Sequence, residues 1–172
     1  MDGAPATTRL FLALWPEPAV RDQLRTWRDA WAWPHGATPV AAGKLHLTLH
    51  FLGSVPSERV PALLDGFTLP FTPFTVDLGR AVLWPHGIAV LEPLEAPPDL
   101  LALHARLGEA LTTLGLQPEA RPYRPHVTMA RRAGAALPPQ AGPSITWDVR
   151  GYALVESRPG AGGGYTVLRA YS

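Results

Sequence analysis

Two stretches of the same kind decide the fold of this chain: residues 44–53 read Lys-Leu-His-Leu-Thr-Leu-His-Phe-Leu-Gly, and residues 123–131 read Tyr-Arg-Pro-His-Val-Thr-Met-Ala-Arg. In both, His-x-Thr is followed by an apolar residue, and apolar residues alternate with polar ones, which predicts a β-strand. Side chains two residues apart share a face of a strand. We therefore expect the histidine and threonine of each stretch to face a common polar group, a phosphate, while the apolar residues face the core. These pairs are His46 with Thr48 and His126 with Thr128.

The rest of the chain predicts strands and helices in a repeated order. The predicted strands are residues 9–14, 44–53, 74–84, 88–91, 123–131, 145–156 and 165–171, and the predicted helices are 16–33, 57–67 and 99–114. The two motif histidines are 80 residues apart in a chain of 172, which predicts two similar halves, each an antiparallel sheet with a covering helix. We expect one α+β domain over residues 1–172, with two pseudo-symmetric lobes and the site in the groove between them.

Composition excludes several classes of function. With 47% hydrophobic and 17% charged residues the chain is globular, and a net charge of +1 gives no general attraction for nucleic acid, so an anion site must be local. The absence of cysteine excludes disulfides, thiolate nucleophiles and cysteine-bound metals. No apolar run approaches the roughly 20 residues that span a bilayer, and residues 1–8 lack the pattern of a signal peptide. We expect a cytoplasmic protein without a membrane anchor, and a monomer.

Two histidines across one site are suited to acid–base chemistry at phosphorus. Their unperturbed pKa of about 6.5 lets one histidine take a proton from a nucleophile while the other gives a proton to a leaving group. Threonine hydroxyls can donate hydrogen bonds to the non-bridging oxygens. Neither motif contains a nucleophilic serine, so the attacking group is expected to be water or a group of the substrate.

A metal site is not favoured by the same residues. Strict alternation puts His46 and His50 on one strand face, but four residues of extended chain separate them by roughly 13 Å. His46 and His126 together lack a carboxylate ligand in either motif, which makes a poor ligand set. We therefore expect neither a catalytic metal nor another cofactor.

The paired motifs resemble a known family. His-Leu-Thr-Leu-x-Phe-Leu-Gly at 46–53 and Pro-His-Val-Thr-x-Ala-Arg at 125–131 are similar to the two signatures of the 2H phosphoesterases, and most of all to the bacterial RNA 2',3'-cyclic phosphodiesterase branch, historically called 2'-5' RNA ligase. Residues 9–16 resemble the first strand of that family, and residues 154–158 with 165–168 resemble its closing hairpin. The resemblance thus extends over nearly the whole chain.

The resemblance implies a bilobal α+β fold and a metal-independent reaction that opens a 2',3'-cyclic phosphate to a 2'-phosphomonoester. By resemblance, His46 is the general acid that protonates the departing 3' oxygen, and His126 is the general base that activates water. Thr48 and Thr128 hold the phosphate. The implied partners are RNA ends or nucleotides that carry a 2',3'-cyclic phosphate. A site that cleaves a 2'-5' phosphodiester to a cyclic phosphate can also run backwards as a 2'-5' ligase, but hydrolysis is expected to dominate in water.

Four further residues are predicted to contact the substrate. Arg131 matches the arginine that follows the second signature, and Phe11 matches an aromatic residue that stacks on a terminal base. His50 and Lys44 are expected as additional contacts beside His46, although Lys44 also suits a solvated strand start. Alternation alone would place the residue after Arg131 on the face of the second histidine, unless a bulge or strand end near Ala130 resets it.

Two other functions fit the same residues. The first is a non-catalytic protein that binds RNA ends in the groove, against which the intact pair of His-x-Thr units argues. The second is a phosphodiesterase that acts on a small cyclic phosphate unrelated to RNA. Removal of a base-stacking ring distinguishes a nucleotide substrate from a base-free one.

Overall fold

The computed structural model describes residues 6–140, 144–160 and 163–172. Within these ranges the chain forms three α-helices and nine β-strands, which confirms the α+β class. The helices are α1 (Pro18–Ala30), α2 (Val60–Gly66) and α3 (Pro98–Thr113). The strands are β1 (Thr7–Leu14), β2 (Thr38–Pro39), β3 (Leu47–Pro56), β4 (Phe74–Trp84), β5 (Ile88–Pro93), β6 (Val127–Arg131), β7 (Ile145–Val149), β8 (Tyr152–Ser157) and β9 (Tyr165–Tyr171).

The three predicted helices are confirmed, with α1 shorter than expected. The backbone of Glu17 is still extended and Trp31 is extended again, so α1 occupies the middle of the predicted range 16–33. Helix α3 buries its leucine stripe at positions 100, 103, 107 and 111 and is followed by Gly115 at φ 79°, a left-handed conformation that glycine adopts without strain. No described helix has both the length and the hydropathy that a membrane crossing requires.

The strands form one antiparallel sheet that divides into two four-stranded halves. Its order is β7-β4-β5-β6-β3-β1-β8-β9, and β2 adds a short pairing to β6. The halves meet between β6 and β3, where Leu47 and Val127 form the pair that joins the two strands. A two-fold axis at this join would relate β3 to β6 and β1 to β5, which fits the predicted pair of lobes.

The lobes do not coincide with the two halves of the sequence. The single strand predicted over 145–156 is wrong, and its two parts belong to different lobes. Residues 145–156 form two strands, β7 and β8, that pair with β4 and β1 on opposite sides of the sheet. The chain crosses over at Gly151, where a Cβ atom would lie 2.1 Å from the carbonyl oxygen of Tyr171, so no other residue fits there without a backbone shift. Strands β8 and β9 consequently complete the lobe that contains β1 and β3.

The two faces of β1 separate the core from the site. Leu10, Leu12 and Leu14 are fully buried in the main core, whereas Phe11 and Ala13 lie on the opposite face in a small second cluster. This is the sidedness that the alternating pattern of β1 predicts. The main core is covered by helices, with α1 against β7 and α3 against β3 and β4.

The sequence also predicts a loop rich in Pro, Ala and Gly over 133–143 and a glycine-rich turn over 158–164, and both lie only partly within the described residues. The loop over 133–143 includes three residues outside them, and the glycine-rich turn over 158–164 includes two. At the ends of that turn, the Arg158 amide donates to the carbonyl of Gly164 at 2.9 Å. This bond closes the hairpin of β8 and β9, as the sequence predicts.

Candidate active site

The two His-x-Thr units meet at the centre of the sheet. Each histidine lies one residue before its strand begins, because β3 starts at Leu47 and β6 starts at Val127. Leu47 and Val127 pair with each other and are fully buried on the core face. Residues on either side of them project from the opposite face, so His46 and His126 face one surface at the join between the lobes.

Each imidazole is held by the carbonyl two residues before it. His46 Nδ1 lies 2.7 Å from the Lys44 carbonyl oxygen, and His126 Nδ1 lies 2.8 Å from that of Arg124. A carbonyl can only accept, so Nδ1 is the donor in both rings, and Nε2 of each neutral ring carries no hydrogen and can take a proton. Nε2 of His46 is 2.9 Å from the Thr48 hydroxyl, which identifies Nε2 as the nitrogen that faces the site.

Aromatic rings enclose His46. The Phe11 ring stacks on it with the centroids 4.8 Å apart, Trp15 lies at 5.8 Å on a similar plane, and Tyr165 meets it edge-on at 5.5 Å. The ammonium of Lys44 lies 5.3 Å from the Tyr165 ring. The Lys44 side chain therefore belongs to the rim of this aromatic cluster, and its carbonyl orients the histidine.

The electrostatic surroundings of the two histidines differ. Burial lowers the pKa of His46 to about 4, and the positive charges of Arg21 and Arg131 act in the same direction. Burial also lowers the pKa of His126, but there the negative charge of Glu92 opposes the shift. In the free protein both rings therefore favour the neutral form at pH 7, and an anion bound between them would raise both pKa values.

A bulge places Arg131 on the face of the site. Ala89 pairs with Ala130 while the next residue of β5 pairs with Thr128, so Met129 is the extra residue of β6. Met129 and Ala130 are both buried, and Arg131 returns to the face of Thr128. Its charge lowers the pKa of both motif histidines, which places it near each of them. Of the two alternatives near Ala130, a bulge or a strand end, the structure has the bulge.

A matching bulge in β3 removes His50 from the site. Ala13 pairs with Thr48 and Leu12 with His50, so one residue of β3 is extra, and the alternation that predicted a substrate contact for His50 fails there. The His50 side chain is buried, with Nε2 2.7 Å from the His104 carbonyl oxygen and its ring stacked on that of His104 at 4.0 Å. His50 is a core residue beneath the site.

The burial of Phe11 does not fit its predicted contact with a base, and a second aromatic residue, Phe51, is exposed beside it. Phe11 lies on the expected face, but it is 2% exposed and its ring is covered by His46, so it has no free face for a base. Phe51 emerges after the bulge, 48% exposed, with its ring 6.0 Å from that of Phe11. The signal in the sequence was the spacing, since Phe51 follows His46 by five residues as Arg131 follows His126.

The described residues show no cluster suited to a metal ion. Within 6–140, 144–160 and 163–172, no three side chains of His, Cys, Asp or Glu lie close enough to share one. The groups that face the site are two imidazoles, two hydroxyls and a guanidinium. Such a set can bind a phosphate and move protons on either side of it.

The fold and the two facing His-x-Thr units are those of a 2H phosphoesterase. Residues 16–160 match the profile of the 2'-5' RNA ligase superfamily. The RNA 2',3'-cyclic phosphodiesterase of Escherichia coli K12 is 35% identical over 152 residues, which cover 86% of this chain and 83% of that protein. The protein of the same name from Thermus thermophilus is 32% identical, with 95% and 89% covered. The chain belongs to the 2'-5' RNA ligase superfamily.

Solved structures of relatives share this fold. E. coli LigT complexed with 3'-AMP superposes with a TM-score of 0.85 at 32% identity, covering 96% of this chain and 97% of that one. TT0787 of Thermus thermophilus superposes with a TM-score of 0.77 at 28% identity, with 94% and 96% covered. Both relatives are therefore matched over almost their full length.

Proposed function

We propose that this protein hydrolyses the 2',3'-cyclic phosphate of RNA ends or nucleotides to a 2'-phosphomonoester, without a metal ion. The observation that carries the proposal is the pair of imidazoles at the join of the lobes, each with Nδ1 bonded to the backbone just before its own strand, and with Nε2 of His46 beside the Thr48 hydroxyl. The relatives named RNA 2',3'-cyclic phosphodiesterase, at 35% and 32% identity, support this substrate class.

The reaction needs one histidine in each protonation state. Nε2 of His126 takes a proton from water as the water oxygen attacks phosphorus, and the bond between phosphorus and the 3' oxygen breaks. His46 gives its Nε2 proton to that oxygen, so both protons are accounted for and the phosphate remains on the 2' oxygen. The substrate anion, placed between the rings, raises the pKa of His46 and so favours the protonated form that the acid requires.

The remaining polar groups stabilise charge on the phosphate. The hydroxyls of Thr48 and Thr128 donate to its non-bridging oxygens, and the guanidinium of Arg131 offsets the charge that develops on them. Removing one such donor from an active site typically lowers kcat by about 10²–10³-fold. Lys44 stands beside this set and contributes long-range attraction for an anion.

We further propose that Phe51 binds the base of the substrate. Its ring is half exposed on the face of the site, beside Phe11, and the Phe11 ring contacts His46. An exposed aromatic ring at this distance from the reacting groups suits a base of the nucleotide that carries the phosphate. The runner-up function, hydrolysis of a base-free cyclic phosphate, gives this ring no partner.

The test is turnover of a nucleoside 2',3'-cyclic monophosphate in excess chelator by the wild type, His46→Ala and His126→Ala. We expect both variants to lose at least about 10³-fold in kcat, with His35→Ala, an exposed histidine in a turn, as the matched control that keeps full activity. Tight binding of a cyclic-phosphate-ended oligonucleotide without turnover by the wild type would instead establish an RNA-end-binding protein.

A monomeric state and a cytoplasmic location complete the proposal. Sedimentation equilibrium at micromolar concentration should give the mass of one chain, 18.5 kDa. 2'-5' ligation would use the same site: the 5' hydroxyl of a second RNA replaces water, its oxygen bonds to phosphorus, and the bond to the 3' oxygen breaks. It should be detectable only when that hydroxyl is present at high concentration.

A further inference from the structure

The surroundings of the two motif histidines differ at one equivalent position of the two lobes. The β1 residue that pairs with Leu47 is followed by Trp15, and the β5 residue that pairs with Val127 is followed by Glu92. Trp15 and Glu92 therefore occupy equivalent places in the two lobes. One lobe presents an indole beside its histidine and the other presents a carboxylate.

The carboxylate of Glu92 is buried, and one of its oxygens accepts two hydrogen bonds. Its side chain is 8% exposed, and a buried charge is tolerated only when it is paired and hydrogen-bonded. Oε2 accepts from Nε of Arg124 at 2.6 Å and from the indole N–H of Trp84 at 3.1 Å. The guanidinium of Arg124 lies over the Trp84 ring, 4.7 Å from its centroid, so the three side chains form a closed network.

Both fixed contacts of His126 come from residues that Glu92 binds. The Trp84 ring lies 4.3 Å from the imidazole at an angle of 56°, and the indole N–H bond to Glu92 fixes the orientation of that ring. The Arg124 carbonyl accepts the imidazole Nδ1–H at 2.8 Å, while the side chain of the same residue is bonded to Glu92. The position of the imidazole thus depends on the carboxylate through two routes.

We propose that Glu92 is a positioning residue for His126: through Trp84 and Arg124 it fixes the imidazole, and its charge stabilises the imidazolium that forms when His126 takes a proton. Glu92 acts through these contacts and takes no direct part in the proton transfer. The inference rests on the proposed function, and it deepens it by giving a structural reason why His126 is the base.

The charged and titratable groups around His126 come from four places in or beside the sheet. Glu92 belongs to β5, Arg124 precedes β6, Arg131 ends β6, and His46 precedes β3. Glu92 is the group among them that carries a negative charge. Its effect on the pKa of His126 is therefore upward, against the downward effects of burial and of the two arginines.

The direct test is an NMR titration of the His126 Cε1–H resonance, which needs no turnover. In Glu92→Gln we expect the pKa of His126 to fall by about 0.5–1, less than the roughly 1–3 of an unscreened neighbouring charge because Arg124 is paired with it. The matched control is Asp148→Asn, which removes an exposed carboxylate from β7, two strands from β5. It should leave this pKa unchanged.

The kinetic readout follows the same direction. The acidic limb of kcat/KM reports deprotonation of the base in the free enzyme, so in Glu92→Gln this limb should move to lower pH, while kcat falls roughly 3–10-fold at unchanged KM. Glu92→Asp, which retains the charge, should keep the limb within about 0.3 pH of its wild-type position.

Several results would overturn the proposal. An unchanged His126 titration in Glu92→Gln, or an equal shift in Asp148→Asn, would leave Glu92 with a structural role only. If Glu92→Gln does not fold, Trp84→Phe replaces it, because this variant keeps a ring but loses the indole N–H, and an unchanged kcat there refutes the route through Trp84. A protein that hydrolyses no cyclic phosphate would refute the proposed function, while the titration would still decide whether Glu92 acts on His126.

Discussion

Replacing Phe51 by alanine should weaken binding of a nucleotide and leave the chemical step intact. Phe51 is 48% exposed and its ring is 6.0 Å from that of Phe11. The base is expected to stack on the exposed part of the Phe51 ring. Since Phe51 touches no group that exchanges a proton, its loss should raise KM and leave kcat within about two-fold.

The size of the expected KM increase follows from the half-exposed state of the Phe51 ring. Base–aromatic stacking contributes about 1–3 kcal/mol by alanine substitution, and one-sided stacking on a half-exposed ring belongs in the lower part of that range. About 1–2 kcal/mol corresponds to a KM increase of roughly 5–30-fold. The assay compares steady-state kinetics on a nucleoside 2',3'-cyclic monophosphate and on a ribose 2,3-cyclic phosphate that has no base, which should show no change.

Two companion variants make the result specific. Phe51→Tyr keeps the ring and should bind the nucleotide like the wild type. Phe11→Ala removes a buried ring that packs on His46, so it should cost about 3–5 kcal/mol of folding free energy and lower kcat equally on both substrates. Equal KM effects of Phe51→Ala on the nucleotide and the base-free substrate would refute the stacking argument.

Three other variants test the site and its support. Arg131→Ala should lower kcat/KM by about 10²–10³-fold, whereas Arg132→Ala, at the left-handed residue that follows β6 (φ 54°), should change it less than about three-fold. Burial lowers the pKa of His104 to about 4, so the folded protein binds fewer protons than the unfolded chain between about pH 6.5 and 4. The contribution of His104 to the free energy of unfolding is therefore complete above about pH 6.5 and should fall below it. In urea denaturation, His104→Phe should reduce the slope of the unfolding free energy against pH by less than about 1.4 kcal/mol per pH unit. Tyr123→Phe removes the hydroxyl that donates to the Thr48 carbonyl at 2.7 Å, which should cost about 0.5–1.5 kcal/mol of stability and lower kcat through the motif strand.

Each of these has a clear contrary result. Equal losses of kcat/KM in Arg131→Ala and Arg132→Ala would mean that the bulge in β6 does not decide which of the two arginines contacts the phosphate. A His104→Phe protein whose stability follows the wild-type pH dependence would show that His104 is not the titrating group. A wild-type kcat in Tyr123→Phe would show that the hydrogen bond from Tyr123 to the Thr48 carbonyl stabilises the strand without affecting catalysis.

Where the strands are regular, the alternation of side chains correctly predicted which residues face the site and which face the core. The rule correctly put His46 and Thr48 on one face, and Leu10 and Phe11 of β1 on opposite faces. Those predictions depend only on a period of two, which the backbone of an extended chain imposes. Arg131 needed a bulge that the sequence did not locate by itself, although the resemblance required one.

The predictions fail where the backbone departs from that period. The bulge in β3 buries His50 and exposes Phe51, and no local feature of this mostly apolar stretch distinguishes a bulge from a regular strand. The break between β7 and β8 is marked by a single residue, Gly151. Glycine is required there because the Tyr171 carbonyl, at the end of the last strand, leaves no room for a side chain. Long-range contacts of this kind cannot be read from neighbouring residues.

The role of Glu92 lies beyond sequence reasoning for a different reason. In the sequence it is one charged residue near the end of an apolar strand, and a solvated strand end is the ordinary interpretation. Its burial depends on Trp84, at the end of β4, and on Arg124, just before β6. Only the three-dimensional structure brings these groups next to His126.

The regiochemistry of hydrolysis tests the central claim most directly. A nucleoside 2',3'-cyclic monophosphate is incubated with the wild-type protein and excess chelator, and the product is identified by ³¹P NMR against both monophosphate standards. The account predicts the 2'-monophosphate alone, because His46 protonates the departing 3' oxygen while His126 activates water. Formation of the 3'-monophosphate would contradict it, since the bond to the 2' oxygen would then be the one that breaks.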